Sequence, residues 1–343
     1  MPKVLALISV VALSLLLAAS AQAARGMESA IEDEDIFVTG KSLVSAQEGY
    51  QFLRQLGIKR QRILIGSSSV KTGTGYDFSV YQAAIQQSLA NGVKVQVSLL
   101  GPANKPKVPE FARFATAAAQ AFKGNVDRYS IWNEPNLVDR LKPVRTAPTQ
   151  YRKLYAAGYK AIKKADPKAK VWIGETSPYV SSKRRGRNPV AFLRELACVN
   201  ARYRVVKRCT KLKADGYAHH PYDFQSAPAK SNRGADAATV GTLSNLTRAL
   251  TKLQRSRQIT GTRNIYLTEF GYLATTRRRV SESLRAKYTT QAFTLARRTP
   301  RIRQMLQYLL AQPTSTSSPF TTGVLTRNGQ PLPVFNALVR FAK

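Results

Sequence analysis

Three glutamates close short apolar runs in a chain poor in acid: Glu134 in YSIWNEPN, Glu175 in IGETSP and Glu269 in IYLTEFGY. A carboxyl group held at the end of a strand can give a proton, take one, or attack an electrophilic carbon. Two of them facing each other across a sugar would suit acid/base-assisted displacement at the anomeric carbon. In Trp132-Asn133-Glu134-Pro135-Asn136 the proline keeps Glu134 out of right-handed helical geometry. Asn133 can then bond a sugar hydroxyl while the neighbouring carboxyl reaches the glycosidic oxygen. Trp132 offers a ring to the same substrate. The competing reading of each glutamate is an ion pair with a nearby Arg or Lys.

Such side chains need elements to aim them. Short apolar runs alternate with amphipathic stretches along the chain. Strands are expected at 35–40, 62–66, 93–101, 126–132, 170–174, 215–220, 264–270 and 305–312, the first being the weakest. Helices are expected between them at 45–57, 78–92, 109–122, 149–165, 189–199, 238–254 and 281–298, with a last one at 333–342. Ser45 with Glu48 three residues on is a capping box, and Gly57 stops that helix. About eight β-then-α units imply a parallel sheet with helical crossovers. The fold class is α/β, a single (β/α)8 TIM barrel spanning 24–343. A doubly wound open sheet is the alternative, weakened by the lack of Gly-x-Gly-x-x-Gly after the first strand. In a barrel the strand C-termini form the active face, and all three glutamates fall there.

WNEPN, with TEFG further on, resembles glycoside hydrolase clan A, retaining enzymes on (β/α)8 barrels. In that clan the acid/base glutamate follows an asparagine at the end of strand four, and the nucleophile ends strand seven. Glu134 and Glu269 occupy those strands by the count above. The resemblance covers nearly the whole mature chain. It implies hydrolysis of a β-linked O-glycosidic bond without a cofactor. Arg62, in the second strand, resembles the clan arginine that keeps the nucleophile ionised; its alternative is an ion pair at the barrel bottom or surface. HHPY resembles the clan's His-x-Tyr, which points to His220 and Tyr222. Adjacent strand residues face opposite sides, so one of His219 and His220 is expected to point inward, and a metal site from the pair is not expected. Glu175 touches a substrate hydroxyl or is structural. WNEPN resembles family 39 and the His-x-Tyr resembles family 5. The chain departs from many clan members in having Gln312 and Pro313 where a tryptophan would end strand eight.

The mechanism implied by the resemblance needs Glu134 protonated and Glu269 ionised at rest, so an acidic-to-neutral optimum is expected. Residues 1–23, with Lys3, an apolar run from Val4 to Ala19 and Ala21-Gln22-Ala23, read as a secretory signal; an uncleaved anchor is the alternative. Cleavage would leave no membrane anchor and a secreted, extracellular protein. In that compartment Cys198 and Cys209 are expected to form a disulfide closing a local loop. No third thiol is present to support a cysteine metal site.

The formal charge is +35, from 54 Lys+Arg against 19 Asp+Glu. Such a surface attracts polyanions. The loops after the expected strands carry Lys71, Lys105, Lys107, Lys142, Arg145, Lys183, Arg184, Arg185, Arg187 and Arg277–Arg279. An anionic glycan is one reading of this rim, and general basicity of the chain is the other. No nucleic-acid motif accompanies the charge, so a nucleic-acid partner is not expected. A non-catalytic carbohydrate- or polyanion-binding barrel is the functional alternative.

Overall fold

A computed structural model describes residues 26–224, 226–230, 233–274 and 280–342. Residues 1–23, read above as a secretory signal, and Arg277–Arg279 lie outside the described residues. Eight parallel strands close into a barrel: β1 Glu28–Glu32, β2 Arg60–Gly66, β3 Lys94–Leu100, β4 Val126–Ile131, β5 Lys170–Thr176, β6 Gly216–His219, β7 Ile265–Leu267 and β8 Ile302–Tyr308. Each pairs with its sequence neighbours in the barrel, and β8 closes on β1 with Glu28 opposite Gln304 and Glu32 opposite Tyr308. The connecting helices are α1 Ala46–Gln55, α2 Ser79–Ala90, α3 Val108–Ala121, α4 Ala147–Ala165, α5 Pro189–Leu196, α6 Leu243–Arg255, α7 Glu282–Arg298 and α8 Pro333–Ala342. A separate two-stranded parallel ladder joins Leu212–Ala214 to Ile259–Gly261.

The outer core follows from strand alternation. Ile63 and Ile65, Val95, Val97 and Leu99, Tyr129 and Ile131, and Val171 and Ile173 are all buried. They join one apolar cluster with helix residues such as Leu53, Phe111, Phe114, Leu154 and Leu193. At the N-terminus of α1 the capping box forms: Ser45 N–H donates to Glu48 Oε2 at 2.9 Å, and Glu48 N–H donates to Ser45 Oγ at 3.3 Å.

The other face of β2 carries arginines. Arg60 and Arg62 stand two residues apart, hence on one side of the strand. Arg60 Nε lies 3.0 Å from Glu28 and its Nη1 2.7 Å from Asp127. Arg128 reaches Glu28 at 2.5 Å and lies over the stacked rings of Trp172 and Tyr266, whose centroids are 3.9 Å apart. This network near the strand starts is the barrel-bottom ion pair, and it belongs to Arg60 rather than to Arg62.

Three strands differ from the expectation by three residues or more: the first, the eighth, and β7, which ends at Leu267 rather than 270. The first strand is Glu28–Glu32, not 35–40; Glu34–Phe37 is a single helical turn capped by Asp33, whose Oδ1 accepts from Ile36 N–H at 3.3 Å. Acidic residues hide this strand because the barrel interior pairs them with arginine instead of excluding them. The eighth strand is Ile302–Tyr308, so it ends four residues earlier than 312. Its last residue is therefore an aromatic one, and Gln312 and Pro313 belong to the following loop.

Cys198 and Cys209 are bonded across a separation of 11 residues, with Cα atoms 6.4 Å apart. Their loop joins α5 to the small ladder. Closing a loop of this size restricts the unfolded chain by about 3 kcal/mol. Replacing both cysteines by serine is expected to lower unfolding free energy by about 2–3 kcal/mol in urea titrations, with the barrel's circular dichroism retained. An unchanged midpoint would show that this loop adds nothing to stability.

Candidate active site

The ends of β4 and β5 leave the sheet through backbone that side-chain-bearing residues rarely adopt. Trp132, Glu134 and Glu175 have φ of 72°, 47° and 49°. Each left-handed residue costs about 1–2 kcal/mol. Gly174 precedes Glu175 at φ 116°, and a Cβ there would stand 2.5 Å from Ala218 O. The turn into Glu175 therefore requires glycine. Two backbone bonds hold these bends: Trp132 N–H donates to Leu99 O at 2.8 Å, and Glu134 N–H donates to Glu175 O at 2.8 Å.

Side chains from seven strands and the turns after them then converge. Arg62 is fully buried and bonds five residues. Its Nη1 meets Glu32 and, at 2.9 Å, Glu269 Oε1. Its Nη2 donates to Glu175 Oε2 at 2.7 Å and to Asn133 Oδ1 at 3.0 Å. Its Nε donates to Ser98 Oγ at 2.8 Å and to Glu175 Oε1 at 3.2 Å. Glu269 Oε2 accepts from Tyr222 Oη–H at 3.2 Å. Burial, first, and then the negative charges around it keep the Tyr222 phenol well above its ordinary pKa, so it remains a donor.

His220 links the two glutamates. Its Nδ1 lies 3.1 Å from Glu134 Oε1 and 3.5 Å from Glu269 Oε2. Those carboxylate oxygens can therefore be no further apart than the two contacts laid end to end, about 6.6 Å. Burial lowers the His220 pKa, but the carboxylates of Glu269 and Glu134 more than offset this and leave it raised, against Arg62. The other ring nitrogen, Nε2, is buried with no hydrogen-bond partner among the described residues. His219 is turned away, onto Thr176 Oγ1 at 2.9 Å and Ala238 O at 2.5 Å, and burial pushes its pKa down to about 3. One histidine of the pair thus reaches the carboxylates, as alternation along a strand requires.

The two glutamates are held unequally. Glu269 has both oxygens bonded, by Arg62 and Tyr222. The described side-chain bonds give Glu134 one partner, His220, and its side chain is 14% exposed against 11% for Glu269.

Two expected site residues do not face a ligand. Trp132 is fully buried; its indole N–H donates to Arg140 O at 2.9 Å and its ring packs on Phe111. It is a wedge beneath the β4 loop, with no face left for a sugar. Glu175 is also fully buried, its two oxygens taken by Arg62 and Ser98, so it touches no substrate hydroxyl. Four residues that the sequence did not single out belong to the site. Glu32 ends β1 on Arg62. Tyr308 ends β8, and Phe320 packs against it at 5.6 Å and against Tyr222 at 6.3 Å. With Phe224, 4.7 Å from Tyr222, these rings form a partly exposed aromatic wall beside Glu269.

Three consecutive acids beside this centre are perturbed in one direction. Burial raises Glu32 well above its ordinary value, against Arg62. Burial likewise raises Glu34, against its bond from Leu64 N–H. Asp33 is raised by burial to about 7, although Ala311, Ile36 and Leu310 N–H groups all donate to it. A carboxyl raised on folding binds more protons folded than unfolded, so stability falls as pH rises through its folded value. His220, also raised, acts in the same sense. His219 acts oppositely, but only below its unfolded value of about 6.5. The urea midpoint is therefore expected to fall between about pH 6.5 and 8. Asp33→Asn should flatten that fall while costing about 1–3 kcal/mol through the backbone donors it leaves unpaired. A midpoint that rises over this interval would contradict the assignment.

No family model matches the chain, and no curated protein matches it. Solved structures do. A family 39 glycoside hydrolase from the gut symbiont Bacteroides cellulosilyticus WH2 superposes with a TM-score of 0.70 at 17% identity, over 93% of this chain and 64% of that one. A glucosidase from Croceicoccus marinus gives 0.67 at 11% identity, over 92% and 68%. An exo-β-1,4-mannosidase from Opitutaceae bacterium strain TAV5 gives 0.62 at 14% identity, over 92% and 59%. This chain thus spans about two thirds of the length of these proteins. It has the barrel fold that these glycoside hydrolases share, with glutamates at the ends of its fourth and seventh strands.

Proposed function

We propose that the chain is a secreted, retaining glycoside hydrolase acting on β-linked O-glycosidic bonds. The observation that carries this reading is the single imidazole in contact with both carboxylates. It limits their oxygens to at most about 6.6 Å, a bound that admits the retaining spacing and only the lower edge of the inverting one. Retaining enzymes use carboxyl groups about 5–5.5 Å apart, whereas inverting ones need about 6.5–9.5 Å to admit a water.

The unequal holding of the pair supports the roles. Glu269, bonded at both oxygens, attacks the anomeric carbon. As that bond forms, the bond to the leaving oxygen breaks and Glu134 delivers its proton there. In the second step Glu134 takes a proton from water, whose oxygen attacks the glycosyl-enzyme, and Glu269 departs as carboxylate. Tyr222 and Arg62 hold Glu269 in place throughout. His220 sits between the two, and the carboxylates beside it raise its pKa, so a proton held there would ease their close approach. Asn133 spends its carbonyl on Arg62, which leaves its amide N–H groups for a sugar hydroxyl. The wall of Tyr308, Phe224 and Phe320 supports a sugar's C–H face in place of a single tryptophan.

Secretion rests on the signal-like segment 1–23 and agrees with the disulfide. Beyond the carboxylate pair, whose residues do not line it, a cleft of about 430 Å³ between the loops after β2 and β3 carries Lys71, Lys107 and Arg113, with Glu110 already paired to Lys107 at 3.2 Å. It favours a glycan bearing anionic groups. The alternative, a non-catalytic binding barrel, has the same aromatic wall but gives the carboxylate pair no task.

Reducing-sugar release from a glycan panel tests the reading. Glu134→Gln and Glu269→Gln are each expected to lower kcat/KM by about 10³-fold or more with the fold intact. The first-formed product should keep the β configuration by proton NMR, and kcat/KM should peak in the acidic-to-neutral range. Inversion, or a profile flat from about pH 4 to 8, would overturn the mechanism. At low salt a uronic acid-containing glycan should be cleaved faster than its neutral counterpart, with the difference shrinking as salt is added; equal rates would remove the anionic preference.

A further inference from the structure

Glu175 stands apart from every role above. It is fully buried, offers nothing to a ligand, and yet sits in a strained backbone conformation that its neighbour Gly174 is needed to reach. Its contacts run in two directions. Through its side chain it grips Arg62 with both oxygens, at 2.7 and 3.2 Å, and Arg62 in turn holds Glu269 at 2.9 Å and Asn133 at 3.0 Å. Through its backbone carbonyl it accepts the N–H of Glu134 at 2.8 Å. One residue is thus one bond from Glu134 and two bonds from Glu269.

We propose that Glu175 is the positioning residue that sets the two active-site glutamates against each other, acting on one through Arg62 and on the other through its own peptide carbonyl. This inference rests on the glycosidase reading for its kinetic consequences, but its geometric content does not. A two-pronged carboxylate fixes the plane of a guanidinium as well as its position. Ser98 completes the clamp, donating to Glu175 Oε1 at 3.0 Å while accepting from Arg62 Nε. The reach of a glutamate is needed for this grip, and the left-handed backbone of Glu175 presents its carbonyl to the β4 loop. A shift of about 1 Å in either prong would be felt at the reacting atoms. The surroundings of Arg62 also matter electrostatically. It faces Glu32, Glu175 and Glu269, so neutralising Glu175 leaves more of its positive charge acting on Glu269 and His220.

Glu175→Gln in the full chain is the test, with Ser98→Ala as a charge-neutral companion. The Gln variant should lose about 30-fold or more in kcat with KM within about threefold, and the acid limb of its pH–rate profile should move to lower pH. Ser98→Ala should change kcat and the acid limb in the same directions by a smaller factor, and it decides the matter if Glu175→Gln does not fold. A residue that merely stabilised the barrel would lower the thermal midpoint and leave the acid limb in place.

The second readout needs no substrate. The chain has 2 histidines, so imidazole NMR signals are assignable from one His219 variant. Facing His220 are Glu134, Glu269, Arg62 and Tyr222, while its chain neighbour His219 is turned away but close enough to feel its charge. In Glu175→Gln the His220 titration should move to lower pH by about half a unit or more. An unmoved His220 midpoint in both variants, or wild-type kcat and acid limb in an active enzyme, overturns the inference. A wild-type protein inert on every glycan would instead sink the glycosidase reading and leave the His220 result to judge Glu175.

Discussion

The site is organised around one buried cation. Arg62 is shared among Glu32, Glu175 and Glu269, and a single positive charge cannot neutralise three carboxylates. Burying unpaired charge is expensive, so such a cluster must take up protons or import positive charge. Both responses are visible. Glu32 is pushed well above its ordinary pKa, which favours its neutral form, and His220 is pushed up beside Glu269 and Glu134, which favours imidazolium. A mouth that binds protons in this way is suited to chemistry in which a proton is handed across the site and back.

That mouth contrasts with the rest of the chain. With 54 basic side chains against 19 acidic ones, most of the surface repels cations. Yet acids gather at the ends of β1, β4, β5 and β7, where low dielectric strengthens their mutual effects. Long-range attraction for polyanions and short-range acid chemistry can therefore coexist, because screening confines exposed charges to about 8–10 Å while buried pairs are screened far less.

Legibility in the sequence follows the range of the interactions. Strand count, helix positions and the end of β4 were readable because apolar runs and their caps are local. β1 was not, since ESAIEDED reads as an acidic tail until Arg60, Arg62 and Arg128 are known to face it. The end of β8 was misplaced because MLQYLLAQ is apolar beyond the last ladder bond, and periodicity does not mark where pairing stops. Tyr308 was lost with that boundary. Trp132 looked like a platform because its neighbours are site residues. Its left-handed backbone turns the ring inward onto Phe111, and no pattern of residue types announces a positive φ at tryptophan. Glu175 was singled out correctly as unusual, but its partner lies 113 residues away.

The two arginines of β2 show how one strand can serve opposed demands. Arg60, at the start, meets Glu28 and Asp127, which together can balance it and the neighbouring Arg128. That end of the barrel is electrostatically closed, and the stacked Trp172 and Tyr266 fill it. Two residues on, Arg62 meets an excess of acid, next to three strained non-glycine residues. Strain and uncompensated charge at the mouth are tolerable because the bottom network and the outer apolar core hold the strands in register. The strands themselves carry that rigidity upward. A carboxylate at the end of β4 and another at the end of β7 then keep their separation without a direct bond between them, which is the arrangement that the proposed chemistry, with a sugar between two acids, requires.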